Sequence, residues 1–396
     1  MSRLWDKGLP LDERVLRYTA GEDHSLDGRL VDYDIRASIA HAEMLAAQQL
    51  LDPGDCRRIC DGLRALGEEY RDGQWQIALA DEDVHTALES RLTERIGAAG
   101  GRLHLGRSRN DQVLAALRLY LLDAADAASR SVAGMQQALA ALEARQGDVA
   151  LPGYTHMQQA MPSSVALWSA GFAAAFADAV TGLAASRRRM AQNPLGSAAG
   201  YGTPGLALDR EATTEALGFA ETQCPVTAVQ LSRGKAEAGL LFELTLATQD
   251  LGRLASDLLL YYTQEFAYVA LADDVTTGSS IMPQKRNPDV LELVRAAAAT
   301  LQACLQECLM LTMKLPSGFQ RDAQRMKAPL FRGIDLTIES FDVMAYLVSR
   351  TSFIAGNIRM DDSLHAAEEA YALVTREGIP FREAYRKVAA RYSGGA

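Results

Sequence analysis

Aromatic residues are scarce in this 396-residue chain, at 7%, against a hydrophobic content of 48%. With alanine throughout, small and aliphatic side chains must build the core, which is the composition of packed helices and not of strands. A basic excess is also missing: 40 lysines and arginines face 50 acidic residues, a formal charge of -10. That balance argues against nucleic-acid partners and against recruitment to an anionic membrane, so an anionic substrate would need a local basic site. Cysteines are few and odd in number, with Cys56, Cys60, Cys224, Cys304 and Cys308 and nothing resembling a secretory signal, which points to a reducing, cytoplasmic setting. Cys56/Cys60 and Cys304/Cys308 are spaced for one helix face, but no histidine or further cysteine lies near them in sequence. They read as small core residues, and no metal site is expected. Long uninterrupted apolar runs are absent too: the stretch from Leu240 to Leu260 carries Glu243, Gln249, Asp250, Arg253 and Asp257, so no membrane span is expected.

What is present is a strong helical period. The first hundred residues alternate short helical patterns with breaks such as LDPGD at Leu51 to Asp55 and RDGQW at Arg71 to Trp75, predicting a small N-terminal domain over 1–102. From Asp111, Leu114, Leu117, Leu121, Ala124, Ala128, Val132, Met135, Leu139 and Leu142 recur at intervals of three and four, the stripe of one helix roughly 50 Å long. Comparable patterns run from about Ser163 to Met190, Val229 to Tyr262, Pro288 to Met313 and Ala323 to Ser349. These five long helices predict an all-α protein with a central bundle over 103–350, followed by a short helical appendage over 351–396. Apolar residues on more than one side of these helices suggest burial against more than one neighbour, including other subunits. A self-contained bundle satisfies the same periodicity.

Three segments interrupt the helices with residues that packing does not require. HLGRSRNDQV, His104 to Val113, places Arg107 and Arg109 at a helix start, where backbone amides and guanidinium groups make a carboxylate receptor; Ser108, Asn110 or Asp111 serve equally as caps. LPGYTHMQQAMPS, Leu151 to Ser163, reads as a Gly- and Pro-bounded loop presenting Thr155, His156 and Gln158. A loop histidine titrates near neutral pH, although a lone one is more often a solvated bystander. TTGSSIMPQKRNPD, Thr276 to Asp289, gathers serines, Lys285, Arg286 and Asn287 between two helices; a loop of this kind brings hydroxyls and cations together.

The last segment, with GSSIMPQKRNP intact, resembles the shared loop of the fumarase, aspartase and argininosuccinate lyase superfamily, approximately GSSxMPxKxNP. Gln284 in the variable position before the lysine is similar to the argininosuccinate lyase branch. So are GRSRNDQV, PGYTHMQ and DEDVHTALESRLTERIG at Asp81 to Gly97, and the likeness runs from LWDKG near the start to GIPFREAYRKV near the end.

The resemblance implies elimination of fumarate from argininosuccinate, the last step of arginine biosynthesis, without metal or organic cofactor. Ser279 would be the base, Lys285 would stabilise the intermediate, and His156 would assist proton transfer to the departing group. Asn110, Thr155, Asn287 and Arg109 would anchor the substrate, His85 would be a further active-site histidine, and Gln324 and Lys327 would face the succinyl or amino-acid end. On spacing alone, Gln324 and Lys327 read as an exposed polar helix face. It further implies a homotetramer whose active sites are shared between subunits. Phe319 stands where many members have tyrosine, Asp23 where many have serine, and the chain stops soon after Tyr392. Phe319 and Asp23 make a lyase for another N-substituted aspartate an alternative, as is a crystallin-like structural protein, which would place no demand on the catalytic residues.

Overall fold

The computed structural model describes residues 12–392. The LWDKG segment at Leu4 to Gly8 and the terminal SGGA lie outside the described residues. Helices dominate, and the strands form three two-stranded sheets among the described residues. Two compact units divide the chain: Met1–Ser129, Thr181–Thr245 and Thr300–Leu336 form one; Arg130–Val180, Leu246–Ala299 and Thr337–Ala396 form the other. The five long helices are Arg109–Gln146, Val165–Met190, Lys235–Tyr262, Asp289–Thr312 and Lys327–Ser349.

In the first unit, short helices begin where the sequence supplies caps. Asp52 accepts from the amides of Gly54 (2.8 Å) and Asp55 (3.1 Å) at the start of Pro53–Arg71, with proline at the first position, where no amide hydrogen is needed. Asp83 accepts from Thr86 at 2.9 Å and opens Val84–Ile96. The Val31–Ala47 helix packs on Pro53–Arg71, and its Ala37 and Ala40 meet Ala115, Leu119, Leu195, Leu217 and Phe219 in a sealed cluster. The small side chains allow close helix approach.

The helical pattern expected from Val229 to Tyr262 is broken. A short helix, Val226–Leu231, ends before Lys235–Tyr262 begins. Gly234 between them has φ +85°, and a Cβ there would lie 2.5 Å from Cγ2 of Thr312. Only glycine satisfies both the left-handed backbone and the contact, and the break turns Arg233 out of the helical register. The run expected from Ala323 likewise divides into a 3₁₀ segment, Arg321–Met326, and the helix from Lys327.

In the second unit, the segment expected as a loop after Leu151 is a β-hairpin, Ala150–Thr155 against Gln158–Ser164, with Pro152 opposite Pro162. Prolines argue against a central strand, but both strands of a lone ribbon are edges, where proline is tolerated. A second antiparallel pair joins Val269–Leu271 to Thr351–Phe353. The side-chain amide of Gln146 completes that edge, donating to the Phe353 carbonyl (2.9 Å) and accepting from its amide (2.8 Å). Trp168 packs against Phe172, Tyr261 and Phe353, and its indole donates to Asp257 at 2.9 Å. Ala366–Glu377 and Phe381–Tyr392 pair through Ala370, Leu373, Ala384 and Val388.

Cys56, Cys60, Cys304 and Cys308 are buried, while Cys224 is exposed. The Val165–Met190 helix is long and apolar enough to cross a membrane by length and composition alone, a test that a core helix of a soluble protein also passes. Interspersed alanines, and no leucine run, supply its hydropathy. Large apolar side chains on several long helices remain exposed, among them Leu167, Phe242, Leu246, Leu293, Leu309, Met310 and Tyr346.

Candidate active site

Lys327 opens its helix from a buried position, and its ammonium contacts two carboxylates, Asp27 at 2.5 Å and Asp23 at 2.9 Å. Burial alone would lower its pKa, but the charges of Asp27 and Asp23 outweigh burial and raise it. The same burial pushes Asp23 up to about 6, with Lys327 only partly opposing it and Asp27 adding to it. The polar-face reading of Lys327 fails because two acids from the first fifty residues fold over it.

Asp23 and Lys327 form one side of a cavity of about 150 Å³. His85 lines it as well, buried to 2% exposure. Its Nδ1 lies 2.8 Å from Asp34, whose carboxylate also accepts from the side-chain amide of Gln112 at 2.9 and 3.1 Å. Burial disfavours the charged imidazole, but the charge and hydrogen bond of Asp34 win, and the His85 pKa is raised. Nε2 of His85 is buried and has no partner.

The HLGRSRNDQV segment divides its labour. Asp111 accepts from Ser108 N (3.0 Å) at the helix start and from Gly196 N (3.1 Å) and Ala198 N (2.8 Å) beyond it, while Ser108 Oγ accepts from Asn110 N (3.3 Å). Ser108 and Asp111 thus act as a reciprocal cap, and the Asn110 side chain is left to the cavity. Gly106, at φ +71°, turns the chain where a Cβ would meet Leu206 and Leu208. Arg107 is buried and donates to Ser38 Oγ at 2.7 Å, so it belongs to the support of Asp34. Arg109 lines the cavity but is already ion-paired with Asp83.

The remaining wall comes from Val113, Arg233, Phe319, Arg321 and Gln324. The Gln324 amide nitrogen donates to the carbonyls of Thr19 (2.9 Å) and Ala20 (3.1 Å), and its oxygen accepts from Arg321 Nε at 3.0 Å. Arg321 also pairs with Glu82 at 3.4 Å. Arg233 is 9% exposed, and its Nε and one terminal nitrogen have no partner. Five of the expected site residues, His85, Arg109, Asn110, Gln324 and Lys327, therefore converge in one cavity of the first unit. Sequence reasoning missed Arg233, Asp83, Arg321, Asp27 and Asp34. The SRG tripeptide before a long apolar run was the available signal for Arg233; for buried acids on short helices there was none.

Thr155, His156, Ser279, Lys285 and Asn287 belong to the second unit and are not among that lining. Thr155 ends the first hairpin strand, and His156 and Met157 form its two-residue turn with φ +52° and +60°. Hairpin turns of this hand favour Asn-Gly, so two bulky residues here carry backbone strain, a feature that accompanies functional sites. All three are exposed.

The Thr276–Asp289 loop is pinned at its base. Thr277 and Asn287 exchange backbone hydrogen bonds of 3.0 and 2.8 Å, and the Asn287 side chain donates to Gly278 O at 3.2 Å. Ser279 Oγ accepts from the amides of Ile281 (3.4 Å) and Met282 (3.2 Å). Two amides aimed at one hydroxyl oxygen favour negative charge on it. Lys285 is exposed on the same loop.

A family model described as Lyase matches residues 13–302. Argininosuccinate lyase of Sorangium cellulosum (strain So ce56) is 43% identical, covering 98% of this chain and 90% of its own length. The argininosuccinate lyase of Xylella fastidiosa (strain 9a5c) is also 43% identical, over 98% of this chain and 87% of its own. Among solved structures, EDDS lyase in complex with formate is similar with TM-score 0.80 at 26% identity, covering 96% of this chain and 76% of that one. A class II fumarase from Schistosoma mansoni shares the fold with TM-score 0.78 at 18% identity, over 98% of this chain and 91% of that one. The cavity, the serine loop and these likenesses agree, and the chain belongs to the argininosuccinate lyase family of the fumarase/aspartase superfamily.

Proposed function

We propose that this protein cleaves argininosuccinate reversibly to arginine and fumarate, and that it does so by general-base elimination. One observation carries the reading: five residues expected at the site, far apart in sequence, line a single cavity of mixed charge. Ser279 Oγ, as an alkoxide held by the Ile281 and Met282 amides, takes the proton from the carbon beside a succinyl carboxylate. The C–H electron pair passes into the carboxylate as a dianionic aci-acid, which Lys285 and Asn287 stabilise. That pair then forms the fumarate double bond as the C–N bond breaks. The nitrogen keeps the bonding electrons and gains a proton through His156. Thr155, Asn110 and Arg109 anchor carboxylates, while His85, Gln324 and Lys327 hold the amino-acid half.

The exposed apolar side chains on the long helices support a homotetramer, with sites completed by residues of more than one subunit. The reducing-compartment composition supports a cytoplasmic enzyme.

Phe319 in the cavity wall and the likeness to EDDS lyase favour a second reading, a lyase for another N-substituted aspartate. The deciding experiment mixes purified protein with argininosuccinate and, separately, with adenylosuccinate and aspartate, following fumarate by its ultraviolet absorbance. Fumarate from argininosuccinate is expected; its absence there, with release from a different adduct, selects the second reading.

A further inference from the structure

A single loop of the first unit, residues 195–209, reaches three stretches of chain that wall the cavity, yet supplies no lining residue itself. Asp111 accepts from the Gly196 and Ala198 amides, which ties the base of the loop to the helix start that carries Arg109 and Asn110. Gly200 and Gly202 lie against Gln230 and Val226, on the short helix that leads to Arg233. The chain doubles back between these glycines, whose amides both donate to the Ser197 carbonyl (2.9 and 3.0 Å). Tyr201 is the crest of that turn. Its phenol end covers Gly318, where a Cβ would stand 3.2 Å from the hydroxyl oxygen and 3.8 Å from Cε2, and the next residue is Phe319 of the cavity wall.

That wall needs a hold from outside. Gly318 and Phe319 stand in the coil between Asp289–Thr312 and Arg321–Met326, and among the described residues neither takes part in a hydrogen bond. Gly318, at φ +85°, adds the rotational freedom of a glycine. Segments without hydrogen bonds are the first to open locally. Tyr201 is 65% exposed, so the core gains little from its ring. We infer that Tyr201 is a positioning residue for the reaction: its ring clamps Gly318 and so fixes Phe319, and the substrate meets a wall already in place. The inference rests on the lyase reading above and adds to it a residue that touches no substrate. A wall held in advance loses less freedom on binding, which strengthens binding without a new contact.

The test compares the purified full chain with its Tyr201→Ala and Tyr201→Phe variants by limited trypsin digestion and by fumarate release from argininosuccinate. In Tyr201→Ala, cleavage after Lys314, which opens this coil, should quicken roughly 5- to 30-fold, the cost of ordering about one residue. Cleavage elsewhere and the melting temperature should keep their native values. KM should rise by about the same factor with kcat within about twofold, the mark of binding lost equally from ground and transition states. Tyr201→Phe keeps the ring and should return most of both effects. Native KM and native cleavage after Lys314 in Tyr201→Ala overturn the inference. So does a Tyr201→Phe protein as impaired as Tyr201→Ala, which would make the hydroxyl the acting group. Faster cleavage throughout with a lower melting temperature also overturns it, since Tyr201 would then be holding the fold. Absence of fumarate from the native protein removes the lyase reading, and the clamp is then judged on cleavage after Lys314 alone.

Discussion

The carboxylate of Asp34 holds Nδ1 of His85 at 2.8 Å with both side chains sealed from solvent, at 0% and 2% exposure. One ring nitrogen is thereby fixed by a partner from another helix, and the other, Nε2, is left unpaired. Asp34→Asn should lower the His85 pKa, read by NMR titration of the ring, and destabilise the protein by about 3–5 kcal/mol, because a buried partner is lost. His85 is raised above 6.5, so its contribution is complete below that value and fades as pH rises through the raised one. Asp34 is lowered below 3.8 despite burial because His85 opposes it, so its contribution is complete above 3.8 and fades as pH falls through the lowered value. Denaturation of both proteins across pH should therefore show the largest gap between about pH 4 and 6.5.

Lys327→Met strands Asp23 and Asp27 in the interior. A loss of about 3–5 kcal/mol is expected by urea unfolding, and adding Asp27→Asn to that variant should recover part of it. A loss under 1 kcal/mol would mean that water already reaches the pair.

Asp23 sets a pH slope of its own. Its folded value, about 6, stands above the ordinary 3.8 because burial outweighs Lys327, so between these values the folded chain holds a proton that the unfolded chain has released. Stability should fall as pH rises from about 4 to 6, by up to roughly 3 kcal/mol. Asp23→Asn should flatten this segment of the curve, which urea unfolding at four pH values will check.

Ser279 makes two contacts, both within its own exposed loop. Ser279→Ala should leave stability within about 0.5 kcal/mol while turnover drops by roughly 10²- to 10⁴-fold. Normal fumarate release by that variant would show that the base lies elsewhere.

The hairpin turn offers a test with opposite signs. Met157 holds φ +60° without being glycine, so Met157→Gly relieves about 1–2 kcal/mol of left-handed strain against about 0.4–1 kcal/mol of added unfolded-chain entropy, a small net stabilisation. Relaxing the tip should also let His156 wander and lower kcat. A melt and a fumarate assay on one preparation read both effects.

Much of this architecture was legible because helices advertise themselves by period. The 109–146 helix and its four companions were readable within a few residues, and the serine loop was conspicuous as a polar interruption. The pattern failed at Arg233, where leucine and alanine spacing continues across a break imposed by Gly234 and its contact with Thr312. It failed again at the hairpin, where two prolines masked a ribbon made only of edges. Asp27 and Asp34 carried no local mark: what makes them important is the burial of Lys327 and His85 against them, a long-range event. Arg109, expected as a substrate anchor, is held by Asp83, for which the sequence suggested no role. The compact units were least accessible of all, since they are assembled from separated stretches of chain.

The rung between Thr277 and Asn287 sets a leash. Ser279 lies two residues beyond one end of it and Lys285 two residues before the other. Two residues of fully extended chain reach about 7 Å, so the α-carbon of either residue stays inside a sphere of that radius around its tether, however far the loop's apex swings. The hydroxyl and the ammonium are confined to overlapping territories by the same pair of backbone hydrogen bonds, and lengthening either short arm by one residue would enlarge its territory while leaving every side chain of the loop unchanged.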